Sequence, residues 1–235
     1  MKVGIIQSSY LPWRGYLDFI ASVDLFVILD DVQFTRQDWR NRNRIKTPGG
    51  SQWITVPVHR QGLSARICEA EIDYARNWRH DHRRAVALNY ARASHTPDVL
   101  AMLDAAFDAN HPTISALNIA LLRSLCGYLG IQTPLRLSSD FACAGVKTDR
   151  LLALLTAVGA TTYLSGPSAR AYLEEDRFRE AGIALEYKRY HYPDYPQLWG
   201  PFDGVVSVID LIANCGPDAR ALITSGVADQ AAAAA

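Results

Sequence analysis

Cysteine is sparse in this 235-residue chain, and the four present, Cys68, Cys126, Cys143 and Cys215, are far apart with no CxxC. That spacing fits reduced thiols in a cytoplasmic protein better than a disulfide frame or a zinc site, so no metal is expected. Long apolar runs are missing, and none approaches the roughly 18–20 residues of a membrane span. The start, MKVGIIQSSY, is too short in apolar residues for a signal-peptide core. Net charge is absent as well: 24 basic and 24 acidic side chains cancel, which argues against a general nucleic-acid coat. The chain also lacks GxSxG, P-loop, HExxH and GxGxxG patterns.

What is present is a hydrophobic fraction of 49%, enough for a full core, and a charge that is segregated. Residues 1–35 carry 2 basic and 4 acidic groups, 36–92 carry 12 and 5, and 93–235 carry 10 and 15, giving −2, +7 and −5. A basic block of this kind points to an anionic partner.

Apolar runs that read as strands (3–7, 25–29, 53–58, 135–138, 162–165, 183–189) alternate with segments of helical period. This predicts an α/β fold: a mostly parallel sheet in a Rossmann-like layered domain over residues 1–225, with a helical insertion around 76–130. Residues 32–50 read as polar and irregular, 205–214 as the last long helix, and 226–235 as an unpacked, disordered tail. In such sheets ligands lie beyond the carboxyl ends of strands, which directs attention to 8–13, 30–31, 139–143 and 165–168, with Ser165 among them.

Four segments carry candidate chemistry. Gln7 to Tyr16 is a strand–loop–helix transition where nucleotide folds place phosphates, with Gln7, Tyr10, Trp13 and Tyr16 as contacts. It resembles the corresponding loop of the nucleotidylyltransferase-like fold, which carries HxGH; aligned on Gly15, the two His positions hold Trp13 and Tyr16, which supply no cation. In the second, Asp30 and Asp31 end a buried strand, and Gln33, Arg36, Asn41, Arg42, Asn43 and Lys46 follow, with five cations between 36 and 46 suited to phosphate. Neighbouring strand residues face opposite ways, so the two carboxylates are not expected to share a site. In the third, Tyr187 to Gln197, His191 is a candidate acid or base, with Tyr195 and Gln197 beside it. Asp210 and Asn214, one helical turn apart, form the fourth. His80 and His82 face different sides of a helix, a poor metal pair.

The motifs Q-x-x-Y-L-P-W-x-G-Y-x-D-x-I, D-x-F-V-I-L-D-D-V-Q-F, W-x-N-R-N-x-I-K, Y-L-S-G, Y-P-Q and S-x-x-D-L-I-x-N-C-G run in order from Gln7 to Gly216. Together they resemble the WbqC-like protein family. One departure is Ser8, where the family usually has Pro after the Gln. The resemblance implies a role in bacterial surface-polysaccharide loci, including O-antigen clusters, or in related small-molecule pathways. It further implies a transferase that acylates or aminoacylates a nucleotide-linked amino sugar.

The expectation is therefore a phosphate-bearing small-molecule substrate. Asp31 or His191 would act as base with Asp30 nearby, Arg36, Arg42 and Lys46 would hold phosphates, and Trp13, Trp39 or Tyr195 would stack on a ring. The donor would be an acyl thioester, from an acyl carrier for example, or ATP with Mg²⁺. ATP-dependent ligation or nucleotidyl transfer is the second reading, and a non-catalytic pathway partner is the third.

Overall fold

The structure is a computed structural model that describes residues 1–59 and 65–232. A six-stranded sheet is built from β1 (Lys2–Ile6), β2 (Leu25–Ile28), β5 (Leu135–Leu137), β6 (Thr162–Ser165), β7 (Ala184–Tyr187) and β8 (Gln230–Ala231). Its spatial order is β5-β2-β1-β6-β7-β8, and every pairing is parallel except that of β7 with β8. A hairpin of β3 (Arg42–Thr47) and β4 (Gly50–Thr55) stands apart from it. The helices are α1 (Arg14–Ala21), α2 (Trp78–Asn89), α3 (Thr96–Asp108), α4 (Ile114–Tyr128), α5 (Lys147–Ala157), α6 (Glu175–Glu180), α7 (Val208–Cys215) and α8 (Ala219–Leu222). The expected α/β, Rossmann-like fold with a mostly parallel sheet is what is found.

Strand alternation divides the interior into two cores. Val3, Ile5, Val27, Tyr163 and Leu185 face one side and meet Leu154 and Leu155 of α5 and Phe178 of α6. Phe26, Ile28 and Leu164 face the other, where α1, the hairpin, α2–α4 and α7 share a single larger core. Gly4 points to that second side, and a Cβ there would overlap the Phe19 ring of α1. The missing side chain is thus what lets α1 lie directly on β1. The inserted helices close on the same core as α1 and α7 rather than on one of their own.

Three readings change. Residues 32–50 are not irregular throughout, because Arg42–Thr47 forms β3. Its pattern hides the strand, since the buried positions include polar Asn43 and Lys46 beside Ile45. The last long helix starts at Val208, not 205, where Ser207 Oγ accepts from Ile209 N–H at 3.4 Å. Finally, residues 226–232 are held rather than loose. Gly226 N–H donates to His191 O, Asp229 lies 3.4 Å from the buried Lys188 ammonium, and Gln230–Ala231 pairs with β7. Residues 233–235 of the expected tail, and Arg60 of the basic block, lie outside the described residues.

Candidate functional site

Along the chain the parallel strands run from β1 to β2 and β5 on one side, then return to β6 and β7 on the other. The order reverses between β1 and β6, and such a switch point opens a crevice at the carboxyl ends of the two strands. A cavity of about 490 Å³ occupies that place, lined by Ser9, Trp13 and Tyr16 after β1, Gly166–Ser168 after β6, and Trp39, Arg40, Asn43 and Tyr190.

The loop 8–13 that forms one wall is fixed from three directions. Asn43 Nδ2 donates to Tyr10 O at 3.2 Å and Leu11 O at 2.7 Å. Tyr10 N–H donates to Trp39 O, and Val208 N–H donates to Pro12 O. These bonds hold Leu11 at φ 42°, a left-handed backbone that a leucine rarely adopts. α1 then begins at Arg14, and its third residue, Tyr16, lines the cavity while its N–H donates to Trp13 O at 3.0 Å. Gly15 leaves room for the Trp13 ring, which a Cβ would overlap. Trp13 stays 37% exposed and meets Tyr190 edge-on at 5.0 Å, an aromatic wall suited to a planar ring.

Two buried arginines flank this region, and they differ. Arg14 donates to Pro193 O at 2.8 Å and lies 4.6 Å over the Tyr192 ring. Arg40 is 7% exposed, yet its Nε and Nη1 have no hydrogen-bond partner among the described residues. Asp38 Oδ2 is 3.8 Å from Nε, beyond bonding distance. Burial pulls the Arg40 pKa down, and Asp38 and Tyr16 partly offset that; a guanidinium nonetheless stays charged. Its backbone is anchored, since Asn118 Nδ2 of α4 donates to Arg40 O at 2.8 Å and to Ser8 Oγ at 3.2 Å. A fixed, desolvated cation with spare donors has the chemistry to hold an anion. The reading of the sequence passed over Arg40, because hydropathy places an arginine on the surface. The motif W-x-N-R-N leaves its position open, so the motif gave no signal for it.

The other candidates fall into separate places. Trp13, Tyr16 and Asn43 line the cavity, although the Asn43 amide is already engaged. Tyr16 Oη donates to Gln7 O at 2.9 Å. Ser165 is buried at the end of β6, 3.4 Å from Tyr163 Oη. Arg36, Asn41 and Arg42 line a different groove. Gln33 is exposed and bridges to Arg66. Tyr10 is fully buried, its hydroxyl 2.9 Å from His82 Nδ1. His82 is buried and His80 exposed, so they do face different sides. Among the described residues no cluster of His, Cys, Asp and Glu could hold a metal.

Asp210 sits at the centre of a buried network. It accepts from Tyr90 Oη, Tyr195 Oη and Gln197 Nε2, each at 2.7 Å. Asn214 Nδ2 donates to Asp210 O, and Lys46 Nζ donates to Gln197 Oε1 at 2.6 Å and to Pro201 O. Burial raises the Asp210 pKa, against the three donors. The network ties β3, α2 and α7 to the 195–203 loop, with every named group engaged.

Asp30 and Asp31 converge, contrary to the expectation that they face apart. Both lie within reach of Ser138 Oγ, at 3.0 and 2.6 Å. They lie beyond the end of β2 at Ile28, where strand alternation no longer applies. Asp30 also accepts from Ser139 N–H and Oγ, and Asp31 is ion-paired with Arg150. Neither lines the cavity, and neither does His191, which is exposed beside Gly226.

No helix among the described residues is long and apolar enough to cross a membrane. No solved structure matches the chain. A curated relative, "Uncharacterized protein Rv1507c" of Mycobacterium tuberculosis (strain ATCC 25618 / H37Rv), is 48% identical over 221 residues, covering 93% of this chain and 95% of that protein. The family profile described as "WbqC-like protein family" matches residues 7–222, from the first residue of the switch-point loop to the end of α8. By both measures the chain belongs to the WbqC-like protein family.

Proposed function

We propose that this protein is a cytoplasmic transferase whose substrate is a nucleotide-linked amino sugar, used in surface-polysaccharide or related small-molecule biosynthesis. The observation that carries the reading is Arg40, buried at the β1/β6 switch point with its Nε and Nη1 free of hydrogen-bond partners among the described residues. Its Nε and Nη1 would hold a phosphate of the nucleotide. Trp13, Tyr190 and Trp39 would enclose the base or sugar ring. Arg36, Arg42 and Lys46 do not share that task, since none of them lines the cavity.

The lining bears on the chemistry. It contains no Asp, Glu, His, Lys or Cys, so N-acylation of an ammonium would have to take its base from the bound substrate or donor. Displacement at phosphorus relies mainly on positioning and on cations that neutralise charge. That favours a second reading, ATP-dependent ligation or nucleotidyl transfer. The cation that the loop lacks at Trp13 and Tyr16 is then supplied by Arg40 from the segment before β3.

A thermal-shift screen against nucleotide sugars, acyl-CoA thioesters and ATP with Mg²⁺ separates the two. Stabilisation by nucleotide sugars and acyl-CoA supports the first reading, and stabilisation by ATP with Mg²⁺ supports the second. No shift with any of them would refute both.

A further inference from the structure

A second concavity, of about 930 Å³, lies between the hairpin and α2. It is lined by Arg36, Asn41, Arg42, Thr55, Asp73, Arg76, Trp78 and Asp81, none of which lines the switch-point cavity. Three arginines therefore line one hollow, Arg76 with Asp73 Oδ2 3.9 Å from its Nε. Arg76 and Arg36 are exposed, and Arg42 is half-buried, its guanidinium 4.1 Å over the Trp53 ring, with Nε unpartnered among the described residues.

The floor holds two unmet hydrogen bonds of opposite kind. Asn41 is buried. Its Nδ2 donates to Val56 O at 2.8 Å, but its Oδ1 has no donor among the described residues. Trp78 is 4% exposed, with its ring against Phe107 at 5.1 Å and His82 at 5.4 Å, and its Nε1 has no acceptor among the described residues. Buried polar atoms of this kind are rare unless a ligand or water meets them. The neighbouring His82 is already engaged by Tyr10 Oη and by the backbone at Thr55.

We infer that this groove is a second ligand site, for a phosphorylated sugar. The arginines take the phosphate. Asn41 Oδ1 requires a donor and Trp78 Nε1 an acceptor, and sugar hydroxyls supply both kinds of bond. Asp73 and Asp81 on the rim accept further hydroxyls, while they would repel a bare polyanion. A sugar phosphate meets all of these groups together, and inorganic phosphate only the arginines. The inference stands apart from the reading of the first cavity, since it uses none of that cavity's residues.

Indole N–H signals in a ¹⁵N NMR spectrum test it. The chain has five Trp: Trp78 reports the groove and Trp13 and Trp39 the switch-point cavity, with Trp78→Phe assigning the first. Titration with glucose 1-phosphate is expected to move the Trp78 signal saturably, in the wild type and equally in Arg40→Met. Arg36→Ala with Arg76→Ala, both exposed side chains, should weaken that binding by about tenfold or more, as loss of charge-assisted bonds does. Inorganic phosphate should bind more weakly by a similar factor. A Trp78 signal that stays still at saturation, or moves only when Arg40 is present, would overturn the second site. Inorganic phosphate binding as tightly as the sugar phosphate would overturn the sugar.

Discussion

Arg14 and Arg40 are equally buried, at 7% exposure, and what their guanidiniums touch distinguishes them. Arg14 has carbonyl acceptors and aromatic faces around its guanidinium, whereas Arg40 has donors to spare. A buried cation with unmet donors costs stability, and replacing a buried ion pair with apolar side chains of similar volume is often neutral or stabilising. Such a residue, kept in the chain, is understood best through its ligand. His82 is the opposite case. Burial pushes its pKa down from 6.5 to about 4, against the Thr55 backbone and Asp81, which raise it. The fold therefore holds the neutral ring, with Tyr10 Oη at Nδ1. Below pH 6.5 the unfolded chain binds the extra proton and the folded chain does not, so stability falls as pH drops from 6.5 toward 4. The loss from this group should reach about 3 kcal/mol by pH 4. Urea unfolding at pH 7 and pH 4 should show that part of the acid sensitivity missing in His82→Gln; equal pH dependence in both proteins would contradict it.

Among the elements, the β3 strand and the loop 8–13 are one unit. Asn43 donates to two carbonyls of the loop and accepts from Arg44 N–H at 2.8 Å. Asn43→Ala removes these bonds, and it leaves two buried carbonyls unmet beside a left-handed Leu11. A loss of about 2–3 kcal/mol is expected, together with a weakened ligand response, because Trp13 rides on the same loop. Denaturant melts with a parallel ligand titration measure both; unchanged stability would show that the loop is held elsewhere. This unit was also the hardest to read in the sequence. β1, β2 and β6 announce themselves as apolar runs, because both their faces are covered. β3 reads Arg-Asn-Arg-Ile-Lys-Thr, and its polar residues are inside because they bond to neighbouring elements. Local hydropathy cannot register a partner that is distant in the chain. The aspartates at the end of β2 were legible as a feature, but not their partners Ser138, Ser139 and Arg150, more than 100 residues away.

Across the whole molecule, zero net charge conceals a division of labour. The basic block runs from the switch-point cavity at Arg40, along Arg42 and Arg44 stacked on Trp53, to the groove at Arg36 and Arg76. The acidic carboxyl-terminal part supplies Asp210 and Asp229, which fasten α7 and the end of the chain. Fold class was visible in the sequence. Which side chains meet at the cavity was not, since it draws on segments near 13, 40, 167, 190 and 205. The central claim is that Arg40 holds an anionic substrate at the β1/β6 switch point. It is tested most directly by isothermal titration of the nucleotide that stabilises the wild type into Arg40→Met. Affinity should fall by about tenfold to a hundredfold, the worth of one charge-assisted pair, with a melting temperature unchanged or raised. Equal affinity in the two proteins would contradict it.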